Sequence, residues 1–204
     1  ERAIATQQTG FSFVGQLRSD VAPELRGLLW FGTDDANTNV YLPIFCSVRK
    51  APAQLGHGDI NTLDWNSNFW VNNYVANQAY NRYSLMIPDI RRVQSELETA
   101  IDEDVRVALE QIPEFADAEI RASLTQDLAD IWAEKATTAY KQLGDFLFVK
   151  FMDGNRKKTD ENHGFIKSEY GMPVYPEFPG YDERYFRSIV NDAGERLKVR
   201  PVTF

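Results

Sequence analysis

The chain has 204 residues, of which 43% are hydrophobic, 13% aromatic and 25% charged, a composition that suits a globular protein and excludes a largely disordered one. Its formal net charge of -8 and the lack of a long basic run argue against nucleic acid or an anionic membrane surface as a partner. No apolar run reaches the length of a membrane span, and the single cysteine, Cys46, excludes an internal disulfide and a multi-cysteine metal site.

The first segment, residues 1–64, is predicted to be rich in strands, and its pattern places them at 11–18, 28–32 and 39–45. The first run alternates apolar with small or polar residues, as half-buried strands do, and the second is continuously apolar. Pro43 predicts a sheet edge or a bulge for the third strand, because proline cannot donate to a ladder. Short turns join the three strands, which predicts antiparallel pairing within one sheet.

The second segment, residues 65–153, is predicted to be helical. An aromatic-rich helix over 65–86 precedes two long helices, one beginning at Pro88, where the missing N–H would have no partner anyway, and one over about 119–151. The loop near 113–116 is short, so the long helices are expected to form an antiparallel hairpin. Their apolar stripes at spacings of three and four comprise Ile90, Val93, Leu97, Ile101, Val105, Leu109 and Ile112 in the first, and Leu124, Leu128, Ile131, Ala136, Tyr140, Leu143, Leu147 and Phe151 in the second.

The third segment, residues 154–204, is rich in proline and glycine and is predicted to be irregular, with a short helix over 181–190. Together the segments predict a mixed α/β (α+β) fold with antiparallel strands first and long helices after, built as one structural unit.

Two carboxylates and two amides, Asp34, Asp35, Asn37 and Asn39, cluster between the second and third predicted strands. Such a group could bind a cation or an α-amino group. Asp and Asn are also the usual residues of turns, where their side chains bond the local backbone, so the pattern by itself favours a hairpin turn.

A second polar group lies in the aromatic-rich helix, where amides alternate with aromatic rings. Amides beside aromatic faces could bind a sugar, but they are also typical of a buried helix whose polar groups bond neighbouring loops, and the pattern favours this second interpretation. The amides are Asn66, Asn68, Asn72, Asn73, Asn77 and Asn81, and the rings are Trp65, Phe69, Trp70, Tyr74 and Tyr80.

Cys46 and His57 are the remaining residues that could take part in catalysis or bind a metal. Cys46 follows an apolar strand without a recognisable Cys–His motif, which favours a buried structural thiol over a catalytic one. His57 and Asp59 are two residues apart, but zinc needs three or four ligands, so a surface loop is favoured and no metal site is predicted.

Five segments in a fixed order carry a family resemblance: FSFVGQLR at 11–18, GLLWFG at 27–32, DDA at 34–36, NVYLP at 39–43 and FWVNNYVAN at 69–77. Together they resemble the C-terminal part of the cysteine dipeptidases of the dipeptidase A type, which are N-terminal-nucleophile hydrolases. The resemblance extends well over roughly residues 9–112 and more loosely beyond.

The resemblance implies a four-layer αββα sandwich and hydrolysis of small peptides, mainly dipeptides, without a metal or another cofactor. It implies a cysteine nucleophile at the N-terminus of the mature enzyme, with its own free α-amino group as the base. Cys46 is internal and cannot play this part, so the nucleophile is expected upstream of Glu1, in a missing N-terminal region. No catalytic residue is carried over to this chain, and the chain alone is expected to be inactive.

The resemblance also implies where substrate could bind and which partners to expect. Asp34, Asp35, Asn37 and Asn39 are the candidate substrate-binding residues, because their turn is expected near the substrate end of the sheet. The expected partners are a small peptide and the missing N-terminal region, with homo-oligomerisation left open. An extracytoplasmic location, periplasmic or secreted, is expected, with the cytoplasm as the alternative. The alternative function is a non-catalytic glycan-binding or helical scaffold domain of an exported protein.

Overall fold

The structure is a computed structural model that describes residues 5–112, 116–199 and 201. The chain divides into two compact units, Glu1–Phe148 and Val149–Phe204. The first unit contains the sheet and nearly all of the long helices, and the second contains a bridged loop and a short amphipathic helix.

The three predicted strands form one antiparallel sheet in the order β1 (Phe11–Leu17), β2 (Gly27–Thr33) and β3 (Leu42–Phe45). The predicted pairing is confirmed, with Phe13 opposite Phe31 and Trp30 opposite Pro43. β3 begins at Leu42 rather than at residue 39, because the residues before it belong to a buried turn.

Pro43 lies in β3, an edge strand of the described sheet. The Cys46 amide donates to the Gly27 carbonyl at 2.9 Å, and bonded pairs alternate along an antiparallel ladder. The Trp30–Pro43 pair therefore falls between bonded pairs, and the proline nitrogen faces the outer border of β3, where a missing N–H breaks no ladder bond.

In the described part of the chain, the sheet is followed first by helices α1 (Ala53–Gly56), α2 (Asn68–Asn81), α3 (Tyr83–Gln111) and α4 (Ala118–Phe151). The predicted helix start at Pro88 is wrong, because α3 already begins at Tyr83 and Pro88 lies inside it. Met86 and Ile90 on either side of the proline are buried, and this burial outweighs the loss of one helical bond. The chain breaks instead at Arg82, whose backbone angles of φ -148° and ψ 53° separate α2 from α3.

α3 and α4 contact each other and run in opposite directions. The Trp132 indole in α4 donates to Asp104 Oδ2 in α3 at 3.1 Å, and Ile112 lines a cavity together with Leu124. Residue 104 thus lies beside residue 132 and residue 112 beside residue 124, which is the order expected of antiparallel helices.

In the first half of α4, the predicted apolar stripe is wrong because a different side of the helix is buried. Leu124 and Ile131 are 44% and 47% exposed, whereas Ala129 and Ala133 are buried. The small alanines let the helix approach its neighbours closely, and the longer side chains remain outside. In the second half the predicted stripe is buried at Ala136, Tyr140, Leu143 and Leu147.

The core of the first unit lies between the sheet and the helices, and its largest fully buried side chains include Leu28, Leu42, Phe45, Ile90, Ile101, Tyr140 and Leu147. Tyr140 of α4 donates its hydroxyl to the Thr38 carbonyl at 2.6 Å, which ties the helix to the turn before β3. In contrast, alternate residues of β1 present apolar side chains to solvent: Phe11 is 60%, Phe13 59% and Leu17 88% exposed.

In the second unit the segment predicted to be irregular is held by isolated antiparallel bridges, such as Arg156 with Glu177 and Lys167 with Pro173. An ion pair also joins Arg156 to Glu177. Asp182 caps the short helix α5 (Glu183–Ala193) by accepting from the Tyr185 amide at 2.8 Å. Across both units, the helices in the described ranges are too polar or too short for a membrane crossing.

Candidate functional site

A buried polar cluster lies where β2 ends and meets α2. We call it the β2-end cluster, and its members are Thr33, Asp34, Asp35, Asn39, Asn68, Asn72 and Asn73, all buried except the half-buried Asn73. Buried polar groups need partners, so the bonds within this cluster determine what it can do.

Asp34 is the most constrained member. Its Oδ1 accepts from Asn73 Nδ2 at 2.9 Å, and its amide donates to the Gly10 carbonyl at 2.8 Å. Its φ of 63° is in the left-handed region, which few residues other than glycine adopt. Its Oδ2 is buried without a hydrogen-bond donor among the described residues. An uncommon backbone conformation beside a buried carboxylate oxygen that lacks a donor is an arrangement that recurs at functional sites.

Burial raises the pKa of the Asp34 carboxyl above its ordinary value, and the nearby Asp35 charge acts in the same direction. The hydrogen bonds from Asn73 and from the Asp35 amide oppose this effect but do not cancel it. The folded state therefore favours the protonated form of Asp34 more than the unfolded chain does.

This shift predicts a pH-dependent stability. The folded chain holds the Asp34 proton more tightly, so its free energy of unfolding falls as pH rises from 3.8, the ordinary Asp pKa, through the higher folded-state pKa. Asp34→Asn removes this titration, so its stability relative to wild type should increase over that pH range. Urea unfolding from pH 3.5 to 7 measures the difference, with the exposed-site variant Asp20→Asn as control. A stability difference that stays constant with pH in Asp34→Asn would contradict the prediction.

Asp35 has an extensive set of partners and holds the turn in place. It accepts from the Asn37 amide at 3.1 Å, from the Thr38 hydroxyl at 3.3 Å and from the Tyr80 hydroxyl at 3.1 Å. Burial, followed by the Asp35 charge, raises the pKa of Tyr80 to about 12, so this phenol remains a donor. Asp35 thus joins the turn to α2.

The two predicted amides of the turn lie in different surroundings. Asn37 donates to the Tyr83 hydroxyl and accepts from Arg91, so it belongs to the start of α3. Asn39 is buried; its Nδ2 donates to the Thr33 carbonyl at 3.1 Å, and its Oδ1 lacks a donor within the described structure. Gly32 makes this contact feasible, since a Cβ there would lie 2.4 Å from Asn39 Nδ2.

The amides of α2 complete the cluster, and no local sequence pattern connects them with Asp34. Asn68 Oδ1 accepts from the Thr33 hydroxyl at 2.7 Å, and Asn72 Nδ2 donates to the Asn68 carbonyl at 2.7 Å. The sequence does indicate that Asn68 and Asn72 act together, because they are four residues apart and hence on the same helix face. The interpretation of a buried helix whose amides bond its neighbours describes Asn68 and Asn72 well.

Three buried oxygens of the cluster, Asp34 Oδ2, Asn39 Oδ1 and Asn72 Oδ1, lack donors among the described residues. Asn39 and Asn72 both donate to Thr33, the residue before Asp34, so the three oxygens belong to residues that bond or adjoin Thr33. All three are acceptors, one with a negative charge when ionised. An ammonium group offers N–H donors and a positive charge, which are the chemical complement of a carboxylate oxygen that lacks a donor.

Cys46 is exposed, so its interpretation as a buried thiol is wrong. It follows β3 directly, at the sheet border, where its side chain faces Gly27: a Cβ on that glycine would lie 2.6 Å from the sulfur. His57 is also exposed, with its Nδ1 3.8 Å from Asp64 Oδ2. Within the described ranges, no three His, Cys, Asp or Glu side chains are grouped as metal ligands would be.

Comparison with known proteins bears on the segment that forms this site. The model of peptidase family C69 matches residues 1–96. Dipeptidase A from Lactobacillus helveticus is 23% identical over 171 residues, which cover 84% of this chain and 33% of that protein. The chain therefore spans about a third of the length of the curated relative it matches.

Proposed function

We propose that this chain, a relative of the dipeptidase A-type peptidases, forms the C-terminal part of a cysteine dipeptidase that hydrolyses small peptides. The observation that carries the proposal is that the segment matched by the peptidase family, residues 1–96, contains the whole β2-end cluster. The similarity to a family of peptidases and the unusual buried polar site thus fall on the same stretch of chain.

The proposed nucleophile is an N-terminal cysteine outside residues 1–204. Such a cysteine uses its own free α-amino group as base. Cys46, the single cysteine of the sequence, has its nitrogen in a peptide bond that donates to the Gly27 carbonyl at 2.9 Å, so this nitrogen cannot accept a proton. In the proposal, this chain supplies the sheet, the helices and part of the substrate site, and it has no peptidase activity alone.

The exposed face of β1 supports a sandwich architecture for the complete protein. Phe11, Phe13 and Leu17 are more than half exposed, although they alternate along one strand as core residues of a sheet do. Two sheets packed face to face would bury such a row of side chains. In the proposal, a sheet from the missing N-terminal region covers this face.

The proposed role of the β2-end cluster is recognition of the α-amino group of the peptide. Asp34 provides the charge, and its Oδ2 accepts one N–H of the ammonium group. Asn73 holds the other carboxylate oxygen in place, at 2.9 Å. The positive charge of a bound amine stabilises the ionised carboxylate, which offsets the effect of burial on the pKa of Asp34.

The test measures hydrolysis of a dipeptide panel by the complete protein, with and without the change Asp34→Asn. Loss of a hydrogen bond to a charged group is worth about 1.5–3 kcal/mol, so kcat/KM for dipeptides with a free amine should fall at least about tenfold. Dipeptides that are N-acetylated lack the ammonium group, so their slower turnover should be much less affected. Asp20→Asn, at an exposed turn, is the matched control.

Two outcomes would count against the proposal, and they concern different parts of it. A complete protein that hydrolyses no dipeptide would overturn the peptidase function. Equal losses of kcat/KM for free and acetylated dipeptides in Asp34→Asn would leave the peptidase function intact but contradict amine recognition by Asp34.

A further inference from the structure

The first unit has a polar cavity between the loop that precedes α2 and α4. It has a volume of about 360 Å³, and the residues that matter here are Trp65, Asn66, Glu134, Lys141, Gln142 and Asp145. This volume is within the range of small-molecule sites, about 300–1,000 Å³. None of these residues belongs to the β2-end cluster, and Thr137, which also lines the cavity, accepts from Asn68 of that cluster at 3.0 Å.

Trp65 forms a fixed aromatic wall of this cavity. Tyr74 packs against it in a T-shaped pair, with ring centroids 5.1 Å apart and an interplanar angle of 79°. Tyr74 itself lies tightly against Gly144 of α4, where a Cβ would come within 2.5 Å of its ring. The half-buried indole is therefore positioned by two elements of the fold rather than by the loop alone.

The polar side chains around this wall have few partners in the protein. Within the described residues, the side chains of Asn66, Gln142 and Glu134 make no hydrogen bond or ion pair to another residue. The Lys141 ammonium lies over the face of the Trp65 ring, 6.0 Å from its centroid, so a ligand that stacks on this face would displace the flexible lysine side chain. The cavity thus combines one aromatic face with amides that both donate and accept, and with carboxylates that accept.

We propose that this cavity binds a neutral saccharide. A sugar ring offers an apolar face of C–H groups to an indole, and its hydroxyl groups donate and accept in the plane around that face, as the amides and carboxylates here require. Glu134 and Asp145 outnumber Lys141, so the lining carries a net negative charge that disfavours acidic sugars. A zwitterionic dipeptide is a different class of ligand, and it forms a separate arm of the test.

The experiment titrates the 204-residue chain with three trisaccharides and one dipeptide, using indole N–H signals in NMR spectra and calorimetry. The probes are cellotriose, the N-acetylglucosamine trimer, the galacturonic acid trimer and Ala-Ala. At least one neutral trisaccharide should bind and shift one indole signal, which Trp65→Phe removes. The acidic trimer and Ala-Ala should bind at least about tenfold more weakly.

Two variants link binding to the cavity. Trp65→Ala should weaken binding about tenfold or more, and Gln142→Ala, at an exposed position, should weaken it about fivefold without changing the thermal midpoint. Trp30→Phe, on the sheet, should bind as wild type. Failure of both neutral trisaccharides to bind at millimolar concentration overturns the proposal, as does unchanged affinity in Gln142→Ala and Trp65→Ala. A larger shift of the Trp65 indole signal with Ala-Ala than with the neutral trisaccharides also overturns it, whereas Ala-Ala binding that leaves this signal unchanged reports on a different site. These measurements report binding and not hydrolysis, so their outcome is independent of whether the complete protein is a dipeptidase.

Discussion

Replacing Leu147 by alanine is expected to lower the free energy of unfolding by about 2–5 kcal/mol, the usual range for a leucine truncated in a packed core. Leu147 is fully buried in α4, so the deleted methyl groups leave a cavity that the surrounding helices cannot fill by small movements. Urea unfolding followed by circular dichroism measures the change in the chain.

The matched control is the same substitution on the same helix, Leu124→Ala. Leu124 is 44% exposed, so the substitution removes less buried surface and should cost less than about 1 kcal/mol. Comparable losses in the two variants would contradict the phase of α4 described here, in which the alanines rather than Leu124 face inward.

Replacing Gly144 by alanine is expected to lower the free energy of unfolding by about 1–3 kcal/mol, the range for overpacking a tight contact. In an exposed helix interior the same change usually stabilises, by about 1 kcal/mol, because glycine is a poor helix former. Here the added methyl would lie 2.5 Å and 2.7 Å from two carbons of the Tyr74 ring, and the steric term should therefore prevail.

The double variant Gly144→Ala/Tyr74→Leu separates the steric term from helix propensity. Removing the ring should make Gly144→Ala neutral or stabilising, so the two changes should be strongly non-additive. If Gly144→Ala destabilises the chain equally with and without the ring, the close approach of α4 and Tyr74 is not the cause.

The strands could be predicted from the sequence because their signals are local. Residues 11–17 and 27–33 carry their own apolar patterns, and the short connections leave antiparallel pairing as the simple solution. The position of Pro43 at an edge also follows from the residue itself, because its missing N–H excludes a central strand.

The helix errors arose where tertiary packing overrides local preference. Pro88 is a strong local signal for a helix start, but the burial of Met86 and Ile90 carries α3 through it. In α4 the large residues Leu124 and Ile131 suggested a core stripe, whereas Ala129 and Ala133 form the close contact. Leucine is more hydrophobic than alanine, so the sequence alone favours it as a core residue. Which of the two is buried depends on the distance between the packed helices, and a short distance admits only alanine.

Only the turn residues of the candidate site could be predicted from the sequence. The two acidic residues and their amides stood out at 34–39, but turn chemistry alone gave no reason to expect that Asp34 and Asp35 would be buried. The partner residues Asn68, Asn72 and Asn73 are more than 30 positions away, at separations of 35 and 39 residues from Thr33 and Asp34, and only the fold brings them together.

The borders of the sheet have unequal capacity to accept another strand. At β3 the proline nitrogen faces outward and cannot donate, whereas the outer backbone groups of β1 include the donors of Phe11 and Phe13. A designed extension of this sheet would therefore find more backbone donors beside β1 than beside β3. The same asymmetry makes β1 the place to introduce a lysine when the chain is engineered for solubility, since a charge on an edge strand opposes its pairing with strands of neighbouring molecules.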